Sequence, residues 1–174
     1  EDATLEGYIL DCELTFGQDT KRPAVLVCPG GGYVYCSPRE GEPVALSYAA
    51  RGFHAFVLRY STGWNCAGFA PLKEVSWVIG YLRDMAEEWN IDPEKIVTCG
   101  FSAGGHLALA AGLLGENKPN AMVLCYPVIN GGEYKLNPIS KSTPVYSLIC
   151  LAVWCFSARN TGAISYTRWN TPTM

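Results

Sequence analysis

One stretch of this chain, Gly100-Phe101-Ser102-Ala103-Gly104-Gly105, constrains the fold more than any other because of what stands on either side of it. Residues 96–100 read as a short apolar strand and residues 103–114 as a helix, so the stretch is a strand-to-helix turn. A turn that sharp holds its apical residue in a strained backbone conformation and leaves no room for side chains two positions away, which accounts for Gly100 and Gly104. Gly105 lets the helix pack closely on the sheet. The first turn of the helix then points its free N–H groups and positive dipole end at the place where negative charge would develop. Ser102 is therefore the candidate nucleophile, and the Ala103 N–H a candidate oxyanion donor. The plainer alternative is a glycine-rich turn that only caps a helix. A GxSxG match arises by accident in roughly 5% of chains of this length, taking Gly and Ser at about 7% each, and the strand-turn-helix setting makes accident rarer still.

The rest of the chain repeats the same alternation. Residues 7–16 suggest an edge strand leading into the polar turn Gly17-Gln18-Asp19-Thr20. Residues 24–28, Ala-Val-Leu-Val-Cys, form an unbroken apolar run of the kind covered on both faces. Residues 40–51 carry helical spacing (Val44, Ala45, Tyr48, Ala49) and stop at Gly52, which suits a helix C-cap. Residues 53–60 read as a strand, and residues 61–71 as a loop. Leu72, Val75, Ile79, Leu82, Met85 and Trp89 recur at three and four, which predicts an amphipathic helix. Asp92-Pro93-Glu94 punctuates, the strand at 96–100 and the helix at 103–114 follow, and residues 121–128 close the series as a strand. Strands alternating with helices imply a mainly parallel sheet with helices on both faces.

Composition excludes several function classes. The chain of 174 residues is 49% hydrophobic and 17% charged, ordinary globular material for one sizeable core. A net charge of -3 with no Lys or Arg run offers no surface for nucleic acid. No apolar stretch reaches the roughly 18 residues of a membrane span, and Glu1-Asp2 lacks the basic start of a signal peptide, so a cytoplasmic protein is expected. The 8 cysteines are scattered, and Cys28, Cys99 and Cys125 sit in apolar runs, which favours buried free thiols over a disulfide framework. With only His54 and His106 and no CxxC pair, no metal site is expected.

A second motif follows the strand at 24–28. In Pro29-Gly30-Gly31-Gly32-Tyr33 the glycines allow backbone N–H groups to point into a concave site that a Cβ would obstruct, and Gly31 and Gly32 are the candidate oxyanion donors. Neither GxGxxG nor GxxxxGK[ST] is present, which removes a phosphate-binding reading. With the loop about seventy residues upstream of the serine turn, the sequence resembles the small serine esterases of the α/β-hydrolase superfamily, especially bacterial acetyl-esterase and xylan-esterase-like members. The resemblance runs from about residue 21 to residue 130, through Val27-Cys28-Pro29-Gly30-Gly31-Gly32-Tyr33, Arg39-Glu40-Gly41-Glu42-Pro43, Val57-Leu58-Arg59-Tyr60 and Cys99-Gly100-Phe101-Ser102-Ala103-Gly104-Gly105-His106-Leu107-Ala108. It implies an α/β-hydrolase fold and a serine carboxylic-ester hydrolase that takes small acyl, notably acetyl, groups from a carbohydrate or other small-molecule ester, with no cofactor. The same elbow is similar to that of prolyl-oligopeptidase-type peptidases.

The departure from that pattern is in the triad. The family's chain order is Ser, then Asp or Glu, then His, but no Asp follows Ser102 and the only later histidine is His106, about one turn into the same helix and carried away from the serine. His106 reads as a helix-packing residue and His54 as a structural histidine. Glu116 and Glu133 are the only later carboxylates, and neither is assigned. Weak or absent activity is expected of the chain, and a non-catalytic hydrolase-fold binding protein is the alternative. Residues 134–174 break the rhythm, with no Asp or Glu but Lys135, Lys141, Arg159 and Arg168. The division is thus residues 1–133, part of a hydrolase domain with its final strands incomplete, and an atypical segment at 134–174. That segment is either a basic strand and tail or a truncated or frame-shifted end.

Overall fold

A computed structural model describes residues 3–11 and 21–129. The expected turn at residues 17–20, Glu133 and the segment at 134–174 lie outside the described residues. Among the described residues five strands form one sheet: β1 (Thr4–Tyr8), β2 (Arg22–Cys28), β3 (His54–Arg59), β4 (Ile91–Phe101) and β5 (Ala121–Cys125), in the order β1-β3-β2-β4-β5. The β1–β3 pair is antiparallel and the other three pairs are parallel.

The helices α1 (Glu42–Ala49), α2 (Ala70–Asp84) and α3 (Ala103–Leu114) connect the strands. They divide between the faces according to the strand alternation. On one face Leu26, Phe56 and Leu58 meet Val75, Ile79 and Leu82 of α2 and Leu107 and Ala111 of α3. On the other, Val25, Val27 and Val57 meet Ala45 of α1. Because β2 is central and covered twice, residues 24–28 are all fully buried, as the unbroken apolar run requires. Each buried Val or Leu there contributes about 1.5–3 kcal/mol.

Boundaries differ from the sequence reading where tertiary contacts decide them. The edge strand runs over Thr4–Tyr8 and residues 9–11 leave it, because β3 starts only at His54 and the Leu10 N–H bonds to His54 Nδ1 at 3.1 Å; residues 12–16 of the expected strand lie outside the described residues. The first helix begins at Glu42 behind a 3₁₀ turn over Pro38–Glu40, and Gly52 ends the segment with φ 88, as a left-handed cap. The apolar spacing that runs on to Trp89 outlasts α2, which ends at Asp84. Trp89 keeps its place in the pattern because it stacks on Phe56, with centroids 5.7 Å apart.

Asp92-Pro93-Glu94 does not end an element but lies inside β4. Arg22 pairs with Ile91 and Ala24 with Ile96, so residues 92–95 bulge out between two paired stretches. The Asp92 carboxylate accepts the Glu94 N–H at 3.0 Å and pairs with Lys95, which closes the bulge locally. The last strand stops at Cys125, short of residue 128, where the chain turns to hold the neighbouring elbow.

Candidate active site

Ser102 stands between β4 and α3 with φ 50 and ψ -114, a region that a residue with a Cβ occupies only when its surroundings force it there. Its surroundings are specific. The Ser102 N–H donates to the Cys125 carbonyl at 3.0 Å, while the Ser102 carbonyl accepts from Val128 N–H at 3.2 Å and from His106 N–H at 3.0 Å. The residues just past β5 therefore clamp both polar groups of the strained peptide. Ser102 itself remains partly exposed at the carboxyl end of the parallel strands.

The flanking glycines are required by space. A Cβ on Gly100 would lie 2.2 Å from the Gly104 carbonyl oxygen, and one on Gly104 would lie 2.0 Å from the Cys28 oxygen. Gly104 thus seats the start of α3 on the end of β2. A Cβ on Gly105 would lie 3.0 Å from Pro127 and 3.1 Å from the Gly100 oxygen, so the helix is close both to the segment after β5 and to the end of β4.

The glycine loop lies beside this turn, because β2 and β4 are adjacent parallel strands that end together, Cys28 opposite Gly100. A Cβ on Gly30 would come within 3.2 Å of Ser102 Cβ and 2.8 Å of the Phe101 oxygen. Gly31 and Gly32 have φ 132 and 63. They are glycines for different reasons. A Cβ on Gly31 would strike the Tyr35 oxygen at 2.0 Å, whereas one on Gly32 would meet nothing within 4 Å. Gly31 leaves no room for a Cβ beside the Tyr35 peptide, while Gly32 is needed for its left-handed backbone. Among the described residues the Gly31, Gly32 and Ala103 N–H groups make no backbone hydrogen bond outside the regular elements, and Ala103 opens α3, where N–H groups lack helical acceptors.

Both histidines are buried. His106 is buried in α3 and shares a hydrogen bond of 2.6 Å between Nδ1 and the Tyr33 hydroxyl, with the two rings edge to face. Burial pushes its imidazole down to about 4, so it is neutral at pH 7. The packing role expected for it is present, together with a polar tie to the glycine loop that the sequence did not suggest. His54 pairs with Ala24 at the opposite end of the strands, roughly 13 Å from the Cys28 level at about 3.3 Å per residue. Burial is the main cause that holds its imidazole below the usual value. Glu116 is exposed beyond the far end of α3, about 18 Å along the helix from Ser102.

The carboxylate that does approach the site is Glu40. Its Oε2 accepts the Gly30 N–H at 2.8 Å, and its Oε1 accepts the Tyr126 hydroxyl. In the sequence Glu40 stands within Arg39-Glu40-Gly41-Glu42-Pro43 with nothing there to mark a role for it. The described cysteines, Cys28, Cys36, Cys66, Cys99 and Cys125, are free thiols. No group of His, Cys, Asp and Glu among the described residues could hold a metal ion, and no described helix is long and apolar enough to cross a membrane.

A strand-turn-helix serine beside a glycine loop on a mostly parallel sheet is the arrangement of an α/β-hydrolase fold. Residues 10–143 match the BD-FAE family, and the chain belongs to it. The chain is 38% identical over 132 residues to an endo-1,4-beta-xylanase B of Butyrivibrio fibrisolvens, covering 67% of this chain and 21% of that protein. It is 34% identical over 113 residues to an acetylxylan esterase of Xylanibacter ruminicola, covering 63% of this chain and 23% of that protein. In structure it is similar to an α/β-hydrolase enzyme from a Medee basin deep-sea metagenome library, with TM-score 0.72 and 47% identity, over 76% of this chain and 55% of that one. The chain thus spans about a fifth of these curated relatives and about half of the solved structure.

Proposed function

We propose that this chain carries the nucleophile and oxyanion hole of a serine carboxylic-ester hydrolase that removes small acyl groups, acetyl above all, from a carbohydrate or similar ester. The observation that carries the reading is the forced backbone of Ser102, held beside a glycine loop at the common end of β2 and β4. Nothing in packing requires a serine there, since the strain costs about 1–3 kcal/mol and a glycine would relieve it.

In the proposed reaction Ser102 Oγ attacks the ester carbonyl carbon and loses its proton to a base. The carbonyl electron pair moves to oxygen, where the Gly31, Gly32 and Ala103 N–H groups receive it. Collapse of the intermediate expels the alcohol, and water then releases the acyl group from Ser102. The chemistry uses no cofactor. The name of the Xylanibacter ruminicola relative supports a sugar-borne acetyl group as substrate.

His106 is tied to the Tyr33 hydroxyl and His54 pairs at the opposite end of the strands, so the chain by itself is proposed to be feeble. Without a triad member a serine hydrolase retains only about 10³–10⁴-fold catalysis over water. The same observation favours a second reading, a hydrolase-fold binding protein without turnover. Both are tested by following release of p-nitrophenol from p-nitrophenyl acetate, with acetylated xylo-oligosaccharide and a short peptide as comparison substrates. The hydrolase reading expects slow ester cleavage that Ser102→Ala abolishes, at least about a hundredfold below a version carrying a downstream Asp and His. Cleavage that survives Ser102→Ala would overturn the nucleophile assignment.

A further inference from the structure

Two separate segments hold the two halves of the proposed site, and one side chain joins them. The peptide of Gly30 is fixed by residues 37–40: its carbonyl accepts the Ser37 N–H at 2.8 Å, and its N–H donates to Glu40 Oε2 at 2.8 Å. The peptide of Ser102 is fixed by residues 125–128, through the Cys125 carbonyl and the Val128 N–H. Tyr126 belongs to that second segment. Its φ of 38 turns it out of line with β5, its ring packs on Phe101 with centroids 6.0 Å apart, and its hydroxyl donates to Glu40 Oε1.

The Glu40 carboxylate therefore reaches from the end of β2 to the end of β5, across the turn of β4 that carries Ser102. It also lies close to that turn. The place a Cβ would take on Gly30 is 2.8 Å from Glu40 Oε2 and 3.2 Å from Ser102 Cβ.

A carboxylate so near a developing oxyanion opposes it, unless its charge is already engaged by donors. Both oxygens of Glu40 are so engaged, and charge-assisted bonds of this kind are roughly twice as strong as neutral ones. The hydroxyl of Tyr126 shows the same field, its pKa being raised to about 12 chiefly by the bond to Glu40.

We propose that Glu40 is the positioning residue of this site, a strap that sets the spacing between the oxyanion loop and the serine elbow through Gly30 and Tyr126. The proposal rests on Ser102 as nucleophile and on residues 30–32 as the oxyanion loop. Glu40 touches no reacting atom. Its effect is on where the Gly31 and Gly32 N–H groups stand relative to Ser102 Oγ. Donors displaced by about 1 Å cost on the order of a hundredfold in rate while leaving ground-state binding almost unchanged.

The test uses the full chain and a small p-nitrophenyl alkylphosphonate. The Ser102 Oγ–P bond forms, p-nitrophenolate leaves, the serine proton passes to solvent, and the phosphonyl oxygen takes the oxyanion position. The rate is read from p-nitrophenolate release and the site from intact and peptide mass. Glu40→Ala is expected to lower the limiting labelling rate on the order of tenfold to a hundredfold, with half-saturation within about threefold of wild type. Glu40→Gln is expected to restore most of the rate, since its amide oxygen accepts from Gly30 and its NH₂ group donates to the Tyr126 oxygen. Tyr126→Phe removes only an exposed hydroxyl, folds regardless, and is expected to fall between the two. Amide hydrogen exchange at Gly30 should quicken at least about tenfold in Glu40→Ala, with Val25, Leu26 and Val27 unchanged. Wild type labelled at Ser102 with Glu40→Ala labelled equally fast overturns the strap alone. Unchanged exchange at Gly30 does the same. A wild type that is not labelled at Ser102 overturns the reading of the site, and the strap with it.

Discussion

Replacing Gly104 by alanine should cost far more than replacing Gly112, although both changes add one methyl group to the same helix. By intrinsic propensity each should stabilise α3 by up to about 1 kcal/mol. The surroundings differ. A Cβ on Gly104 meets only backbone, the Cys28 oxygen at 2.0 Å and the Pro29 oxygen at 2.4 Å, and neither can swing away. A Cβ on Gly112 meets the Met122 sulfur at 2.3 Å, the far end of a flexible side chain that has other rotamers. To relieve the first contact the start of α3 must lift off the end of β2 by about 1 Å, a gap that forfeits a quarter to a half of the dispersion energy of the atoms it separates. Leu107, Ala108 and Ala111 lie on that buried side of the helix. Overpacking costs of about 1–3 kcal/mol assume side chains that yield, so the upper end applies here. Gly104→Ala should lose about 3 kcal/mol and Gly112→Ala should stay within about 1 kcal/mol of wild type. In urea unfolding, with a slope of about 1–3 kcal/mol/M, the Gly104→Ala midpoint should fall by roughly 1–3 M. Equal midpoints for the two variants would refute the claim that backbone contact makes Gly104 indispensable.

Other expectations follow from the same geometry. Ser102→Gly should raise stability by about 1–2 kcal/mol in chemical denaturation while removing all Ser102 chemistry, because glycine relieves the strained φ; a loss of stability would show that the surroundings, not the residue, prefer the serine. Because burial lowers the His106 pKa to about 4, the unfolded chain binds a proton between about pH 6.5 and 4 that the folded chain does not. The stability it contributes is complete above pH 6.5 and is lost as pH falls to 4, about 3 kcal/mol in all, with His54 adding in the same direction. His106→Gln should flatten that slope, and an unchanged slope assigns the pH dependence elsewhere. Tyr60→Phe strips a buried 2.6 Å donor from the Pro29 carbonyl and should cost about 1–3 kcal/mol in the same assay.

What the sequence made legible was whatever the chain must solve within a few residues. The elbow is such a problem: strand, strained apex and helix follow one another directly, and the two glycines that flank Ser102 show their contacts only because the turn is so tight. Residues 24–28 and 103–114 were readable for the same reason, a run buried on both faces and a helix held close to it.

Features set by distant partners were not legible. Asp92-Pro93-Glu94 has the composition of a break, yet Ile91 continues the strand because Arg22 is there to pair with it. Trp89 keeps the helical period after the helix has ended, since what it answers to is Phe56 and not its own backbone. Glu40 is the extreme case. Its partners lie ten residues upstream and eighty-six downstream, so no spacing in the sequence connects them, and its neighbours Arg39, Gly41 and Glu42 give it no period. The same distance is what gives Glu40 its proposed effect. A group that fixes the loop and the elbow separately could sit anywhere along the chain, but one that fixes their spacing has to bond to both. Glu40 is the described carboxylate that does so, and for that reason substitution there should change the rate of Ser102 chemistry more than the stability of either segment.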